Sequence, residues 1–403
     1  MDIFWTRNCL QFCQDAFNTE GVAMLENFLL IRRMMCAPII LGSSLFLSAC
    51  YHHSFPVADR FVQSQRGPNY AEVFVDANGS FYPSEWRVLL STPRHWPAGS
   101  LLNHSSAMRN RLTVDEPRQL ADIAAFGREK KRIFILVHGY NNTVAEATPA
   151  YEAIETRLGL KASDGIIRFY WDGLTGSGLG GGRIWFWATG NSQLAGSRGL
   201  RRLLDQFSDK DIYLIAHSRG SSVVLSALGN PVYDPDFLAD TKKLAAAWSD
   251  SANFLAPPPL GENGNRIHIL LLAPAIDRID FCDASEQPTT DRAYTCRRLR
   301  PLGKQVVSLR YTVNAKDPIL RKYVGLAAKF NPTGLGTTLA VGCALQKDQY
   351  PLMREYILKP EKIHRFSWYV GSKVFDRMLA DEGLGVQHAD QVAWAPTCNQ
   401  SDS

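Results

Sequence analysis

The chain has 403 residues, 45% of them hydrophobic and 21% charged, which excludes a disordered or low-complexity protein and allows a large buried core. The length suits two domains or one large α/β domain. The formal net charge of +5 is spread without a long basic run, which argues against nucleic acid as a partner.

The first distinctive element is Arg32-Arg33 followed by "MMCAPIILGSSLFLSAC". The apolar run from Ala37 to Leu47 is too short to cross a bilayer as a helix. With the two arginines before it, it has the make-up of a secretory signal. It ends in Leu47-Ser48-Ala49-Cys50, which resembles the bacterial lipobox, where small residues let the processing enzymes reach the bond and the cysteine becomes lipidated. The resemblance implies a leader over residues 1–49, with Cys50 as the lipid attachment site and first mature residue. It also implies an anchor in the bacterial cell envelope, facing the periplasm. Tyr51 rather than Asp after the cysteine points to the outer membrane. The alternative is a short hydrophobic anchor that ends in Cys by coincidence. The arginines lie far from Met1, so Met24 is a candidate start, and a twin-arginine export route is weakly marked.

Residues 50–69 read as a tether, polar and without period. A globular region follows from 70 to 403. "YAEVFVDANGSFY" predicts a hairpin around Asn78-Gly79. Glu116 to Lys130 predicts a helix capped by Thr113 or Asp115. Then strands and helices alternate. "RIFILVHG", "GIIRFYWDG", "DIYLIAHS", "RIHILLLAPA" and "QVVSLRYTVN" are predicted strands. "TVAEATPAYEAIETRL", residues 191–207 and "GSSVVLSALG" are predicted helices. Residues 173–190 and 231–265 are rich in Gly, Pro and aromatic residues and read as loops or a small cap, the cap over 231–265. Apolar runs without polar alternation suit strands covered on both faces. The fold class is therefore α/β, with a mostly parallel central sheet and helices on both faces.

Of the eight cysteines, Cys9, Cys13 and Cys36 fall in the leader and Cys50 would carry lipid, so four remain to pair. Cys282 and Cys296 bracket one polar loop, which favours that local pair and leaves Cys343 with Cys398. Four buried thiols are the alternative, and an exported protein favours disulfides. No cysteine has zinc-ligand spacing and no HExxH occurs, so neither metal nor cofactor is expected.

Open α/β sheets bind ligands at the carboxyl ends of their strands. Those ends carry His138-Gly139-Tyr140-Asn141-Asn142, Trp171-Asp172, His217-Ser218-Arg219, Asp277 and Asp317, and His364 lies near the C-terminus. "AHSRG" is a G-x-S-x-G nucleophile elbow with Ala at its first position, between a predicted strand and helix. With "VHGYNN" upstream and the order Ser, Asp, His, the chain resembles the α/β-hydrolase superfamily. It looks closest to a bacterial branch with "VHGYNN" and "AHSxG" motifs, over about residues 130 to 380.

The resemblance implies Ser218 as nucleophile, Asp317 as acid and His364 as base. His388 is the second candidate base, and Phe366 separates His364 from the "SWYV" run. The implied oxyanion donors are the backbone N–H groups of Arg219 and Tyr140. His138 is implied to be structural, Asp277 a helix cap, and His217 and Arg219 packing or pairing residues. Trp171, Trp185 and Trp187 are candidates for an acyl pocket or for the core. The implied activity is carboxylic-ester hydrolysis through an acyl-enzyme, on a small-molecule or lipid ester. The alternatives are an acyltransferase with the same triad and an envelope-binding lipoprotein without activity.

Overall fold

The computed structural model of the protein describes residues 51–52, 68–82, 106–176, 179–233, 237–238, 255–286, 296–323, 333–385 and 398. The leader, Cys50, most of the expected tether, most of the expected cap and His388 lie outside the described residues.

Among the described residues, seven strands form one sheet: β1 Tyr70–Val75, β2 Arg132–Val137, β3 Asp164–Trp171, β4 Asp211–His217, β5 Arg266–Leu272, β6 Val306–Val313 and β7 Met353–Ile357. Their order is β1-β3-β2-β4-β5-β6-β7 and every pairing is parallel. In β2, β4 and β5 every residue after the first is buried. Buried runs in which only His217 and His268 are polar require cover on both faces.

The helices are α1 Ser106–Arg128, α2 Val144–Arg157, α3 Leu179–Leu194, α4 Gly220–Leu228, α5 Pro318–Tyr323, α6 Leu339–Asp348, α7 Phe366–Val370 and α8 Lys373–Asp381. β2 leads through α2 to β3 on one side, whereas β3 leads through α3 to β4 on the other. Right-handed crossovers then put α2 on one face and α1, α3 and α4 on the opposite face. The packing agrees: α2 lies against α7, α3 against α4, and α1 against Arg201–Leu204. The connection after β2 runs toward one edge of the sheet and that after β4 toward the other, and this switch point is where such sheets open a crevice.

Several elements depart from the sequence reading. The hairpin at Asn78-Gly79 is a tight turn whose return arm is one bridge, Phe81 to Val75. Asp76 Oδ1 holds the turn by accepting from the N–H groups of Asn78 and Ser80. α1 begins at Ser106, so Thr113 and Asp115, expected at its start, lie inside it. Residues 179–190 are helical, and α3 continues through a π segment, Ala195–Leu200, into Arg201–Leu204. The closing helix is split at Gly371-Ser372, where the Ser372 hydroxyl accepts from Phe375 N–H and starts α8. Tyr51–His52, the start of the expected tether, pair antiparallel with Thr175–Gly176.

Two disulfides, Cys282–Cys296 and Cys343–Cys398, follow the pairing expected from the sequence. No helix among the described residues is long and apolar enough to cross a membrane.

Candidate active site

Ser218 follows β4 directly and has φ +52°, a left-handed conformation that costs about 1–3 kcal/mol in a residue with a side chain. The surroundings impose it. Ser218 N–H donates to Leu272 O at 2.9 Å, and Ser218 O accepts from Ala275 N–H at 3.1 Å. A Cβ at Gly220 would lie 2.5 Å from His138 O, so only glycine lets α4 start this close to β2. The same strain recurs at neighbouring strand ends: Asn141 after β2, Leu174 after β3 and Ala273 after β5 also have positive φ.

Three elements far apart in sequence converge on this serine. His364, in the loop between β7 and α7, places Nε2 3.0 Å from Ser218 Oγ. Its Nδ1 lies 2.7 Å from Oδ2 of Asp317, which follows β6. Asp317 is fully buried and every donor around it is directed. Oδ1 accepts from the N–H groups of Ile319 and Leu320 at 3.0 Å each, and Oδ2 also accepts from Tyr369 Oη at 2.7 Å. Burial alone would push this carboxyl up. The hydrogen bonds from His364, Tyr369 and Leu320, with the His364 charge, outweigh burial and hold it below the usual carboxylate range.

Asn314 and Tyr369 were not singled out by sequence reasoning. Asn314 Nδ2 donates to Glu361 O and Ile363 O, and its Oδ1 accepts from Glu361 N–H, which fastens the segment carrying His364 to the end of β6. Asn314 Nδ2 also donates to Tyr369 Oη at 3.3 Å. The one available signal was the aromatic run "SWYV", which contains Tyr369.

The loop after β2 lies against the nucleophile, since a Cβ at Gly139 would stand 2.8 Å from Ser218 Cβ. Tyr140 is buried with its ring edge-on to Trp185. Asn141 braces the loop: its N–H donates to Gly173 O, and its Oδ1 accepts from Gly176 N–H at 2.7 Å. Arg219 precedes α4 as its N-cap residue, next to Ser218. Its guanidinium is fully buried, 3.0 Å from Asp280 Oδ1, and donates to Ala275 O and Ser192 Oγ. Burial lowers its pKa, and Asp280 opposes that shift.

The remaining candidates are scaffold. His138 Nε2 accepts from Trp171 N–H, His138 O accepts from Trp171 Nε1–H, and His138 Nδ1 meets Gly139 O at 2.7 Å. Burial pushes its pKa down to about 4. His217 is buried and stacks on Phe366, with its ring 4.9 Å from that of His364. Burial holds it well below the ordinary histidine value. Asp277 caps the 3-10 turn Arg278–Phe281 through a capping box with Asp280. Trp171 and Trp185 are fully buried, whereas Trp187 is 41% exposed. Among the described residues, no cluster of His, Cys, Asp and Glu has metal-holding geometry.

Residues 119–295 match the family described as "Alpha/beta hydrolase of unknown function (DUF900)". That stretch includes Ser218 and ends before Asp317 and His364. No curated protein matches the chain. Among solved structures, the chain is similar to the structure of the Tle1 effector bound to the VgrG spike from the Type 6 secretion system, at 12% identity and a TM-score of 0.20. The likeness covers 47% of this chain and 46% of that one, so the chain spans under half of that structure's length.

Proposed function

We propose that this chain, a member of the α/β-hydrolase superfamily by its all-parallel sheet and its match over residues 119–295, is a serine esterase working through an acyl-enzyme. One observation carries the reading: the unbroken connection from Ser218 Oγ through the His364 ring to Asp317. A serine hydroxyl attacks an ester only when a base takes its proton. In this reading His364 Nε2 takes it while Oγ bonds to the ester carbon. Asp317 keeps the other proton on Nδ1 and stabilises the imidazolium that forms. The oxyanion is met by the N–H groups of Arg219 and Tyr140, with the N-terminus of α4 beneath it. His364 then protonates the leaving alcohol oxygen, and the same steps with water release the acid and free Ser218. We further propose that the mature chain is held in the bacterial envelope by lipid on Cys50, the reading that the Leu47-Ser48-Ala49-Cys50 sequence supports.

The test is labelling by a fluorophosphonate, together with turnover of p-nitrophenyl esters. Wild type should be labelled and active, and Ser218→Ala neither. His364→Ala, if folded by circular dichroism, should keep only the residual catalysis of the oxyanion hole and binding, a loss on the order of 100-fold or more in kcat. Near-normal turnover in His364→Ala, with collapse in His388→Ala, would move the base to the C-terminal tail.

A further inference from the structure

The start of the expected tether is tied to the rim of the site. Tyr51 pairs with Gly176 and His52 with Thr175. Gly176 N–H donates to Asn141 Oδ1, and Asn141 adjoins Tyr140, whose loop lies against Ser218. Cys50 precedes Tyr51 directly in the chain. From Cys50 to Ser218 this path of covalent bonds, strand pairing and contacts is at most about 30 Å. An unpinned segment over residues 51–69 would instead reach roughly 65 Å and impose no orientation. α3 also packs beside Tyr51–His52, and it carries the exposed Trp187. Tryptophan is enriched where protein meets the membrane–water interface.

We infer that the anchored end of the chain is part of the active-site rim, so that the site opens onto the membrane and takes acyl esters of membrane glycerolipids. The inference rests on the esterase reading and on lipid at Cys50. The acyl chains of Cys50 insert into the bilayer, and one residue later the backbone is fixed beside the loop that carries Tyr140. The mouth at the carboxyl ends of β2 and β4 therefore faces the lipid surface at a set height. In the reaction, Ser218 Oγ bonds to the lipid's acyl carbon and the ester C–O bond breaks. The proton from Ser218 passes through His364 to the lysolipid hydroxyl, and water then releases the fatty acid.

The experiment uses the lipid-modified full chain in vesicles of phosphatidylethanolamine and phosphatidylglycerol, measuring released fatty acid and, separately, turnover of p-nitrophenyl butyrate. One variant carries a twelve-residue Gly-Ser insert between Cys50 and Tyr51, which adds about 20 Å of flexible reach ahead of the pinned strand. A control carries the same insert between Gln63 and Ser64, behind it. The first insert should cut fatty-acid release by about tenfold or more while the protein stays on the vesicles, because local orientation is lost. The control should stay within about twofold of wild type. Trp187→Ala should lower fatty-acid release in the same direction, and both insert forms should turn over p-nitrophenyl butyrate as wild type does. Equal fatty-acid release from the two insert forms overturns the inference. So does a wild type whose mass shows no acyl chains, or one that hydrolyses p-nitrophenyl butyrate but releases no fatty acid. A wild type inactive on p-nitrophenyl butyrate as well would instead sink the esterase reading beneath it.

Discussion

Tyr369 Oη donates to Oδ2 of Asp317 at 2.7 Å, the same oxygen that lies 2.7 Å from His364 Nδ1. The carboxylate is thus shared between the imidazole and a phenol whose own ionisation is suppressed by burial and by the Asp317 charge. Tyr369 touches no reacting atom, so it acts as a positioning residue. Tyr369→Phe should lower kcat by roughly tenfold, the scale of one hydrogen bond to a charged group, with KM little changed. Without the Tyr369 hydrogen bond the Asp317 carboxyl should move back up toward the usual carboxylate range, so the acid limb of the kcat/KM profile should move to higher pH. Superimposable pH profiles for the two proteins would reduce Tyr369 to packing.

The strain at Ser218 gives a second expectation. Ser218→Ala should abolish p-nitrophenyl ester turnover and leave the melting temperature nearly unchanged, since alanine inherits the same φ of +52°. Ser218→Gly should be equally inactive and more stable than Ser218→Ala by about 1 kcal/mol, because glycine adopts this φ without a Cβ penalty. Equal stability of the two variants, by urea unfolding, would mean that the elbow relaxes on losing its hydroxyl.

The Arg219–Asp280 pair is buried on both sides, with side-chain exposures of 0% and 3%. Its role is to fix the residue after the nucleophile. Asp280 accepts from Arg219 through Oδ1 and from Asp277 N–H through Oδ2, which joins the elbow to the turn after β5. Asp280→Ala would leave a guanidinium buried without a countercharge, a change that costs about 3–5 kcal/mol. Turnover should fall with it, as the N–H of Arg219 loses its fixed direction. Denaturant unfolding that showed a loss under about 1 kcal/mol would mean that water or another group replaces the carboxylate.

The parallel sheet was legible because β2, β4 and β5, after a charged first residue and apart from His217 and His268, are apolar runs without polar alternation, a pattern that two covered faces produce. Ser218, Asp317 and His364 were legible because a resemblance tied them to strand ends in a fixed order. α3 was hidden by its glycines, which are poor helix formers in isolation. Tertiary packing offsets that penalty: a Cβ at Gly190 would lie 2.1 Å from Phe237 Cε2, so the absent side chain lets α3 press on that ring. Asn314 and Tyr369 gave no periodic or motif signal of their own, because their roles arise when the loops after β6 and β7 meet. The pairing of Arg219 with Asp280 and of Tyr51 with Gly176 spans dozens of residues, and local pattern carries no trace of it.

His138 makes the folded state sensitive to acid. Its Nε2 accepts from Trp171 N–H, which requires the neutral ring, with the proton on Nδ1 toward Gly139 O. Burial lowers its pKa from the ordinary 6.5 to about 4, against smaller raising effects from the Gly139 carbonyl and Asp172. Below pH 6.5 the unfolded chain therefore takes up a proton that the folded chain refuses until near pH 4. The unfolded state binds more protons across that window, so stability falls as pH falls. Between pH 7 and 4.5 His138 alone should remove roughly 2–3 kcal/mol. His217, lowered in the same direction, adds to the slope. Urea unfolding of wild type and His138→Gln at the two pH values measures this directly, and the variant should show the shallower loss. A wild-type unfolding energy that stays level across the window would mean that His138 charges in place, with the bond from Trp171 broken in the folded protein.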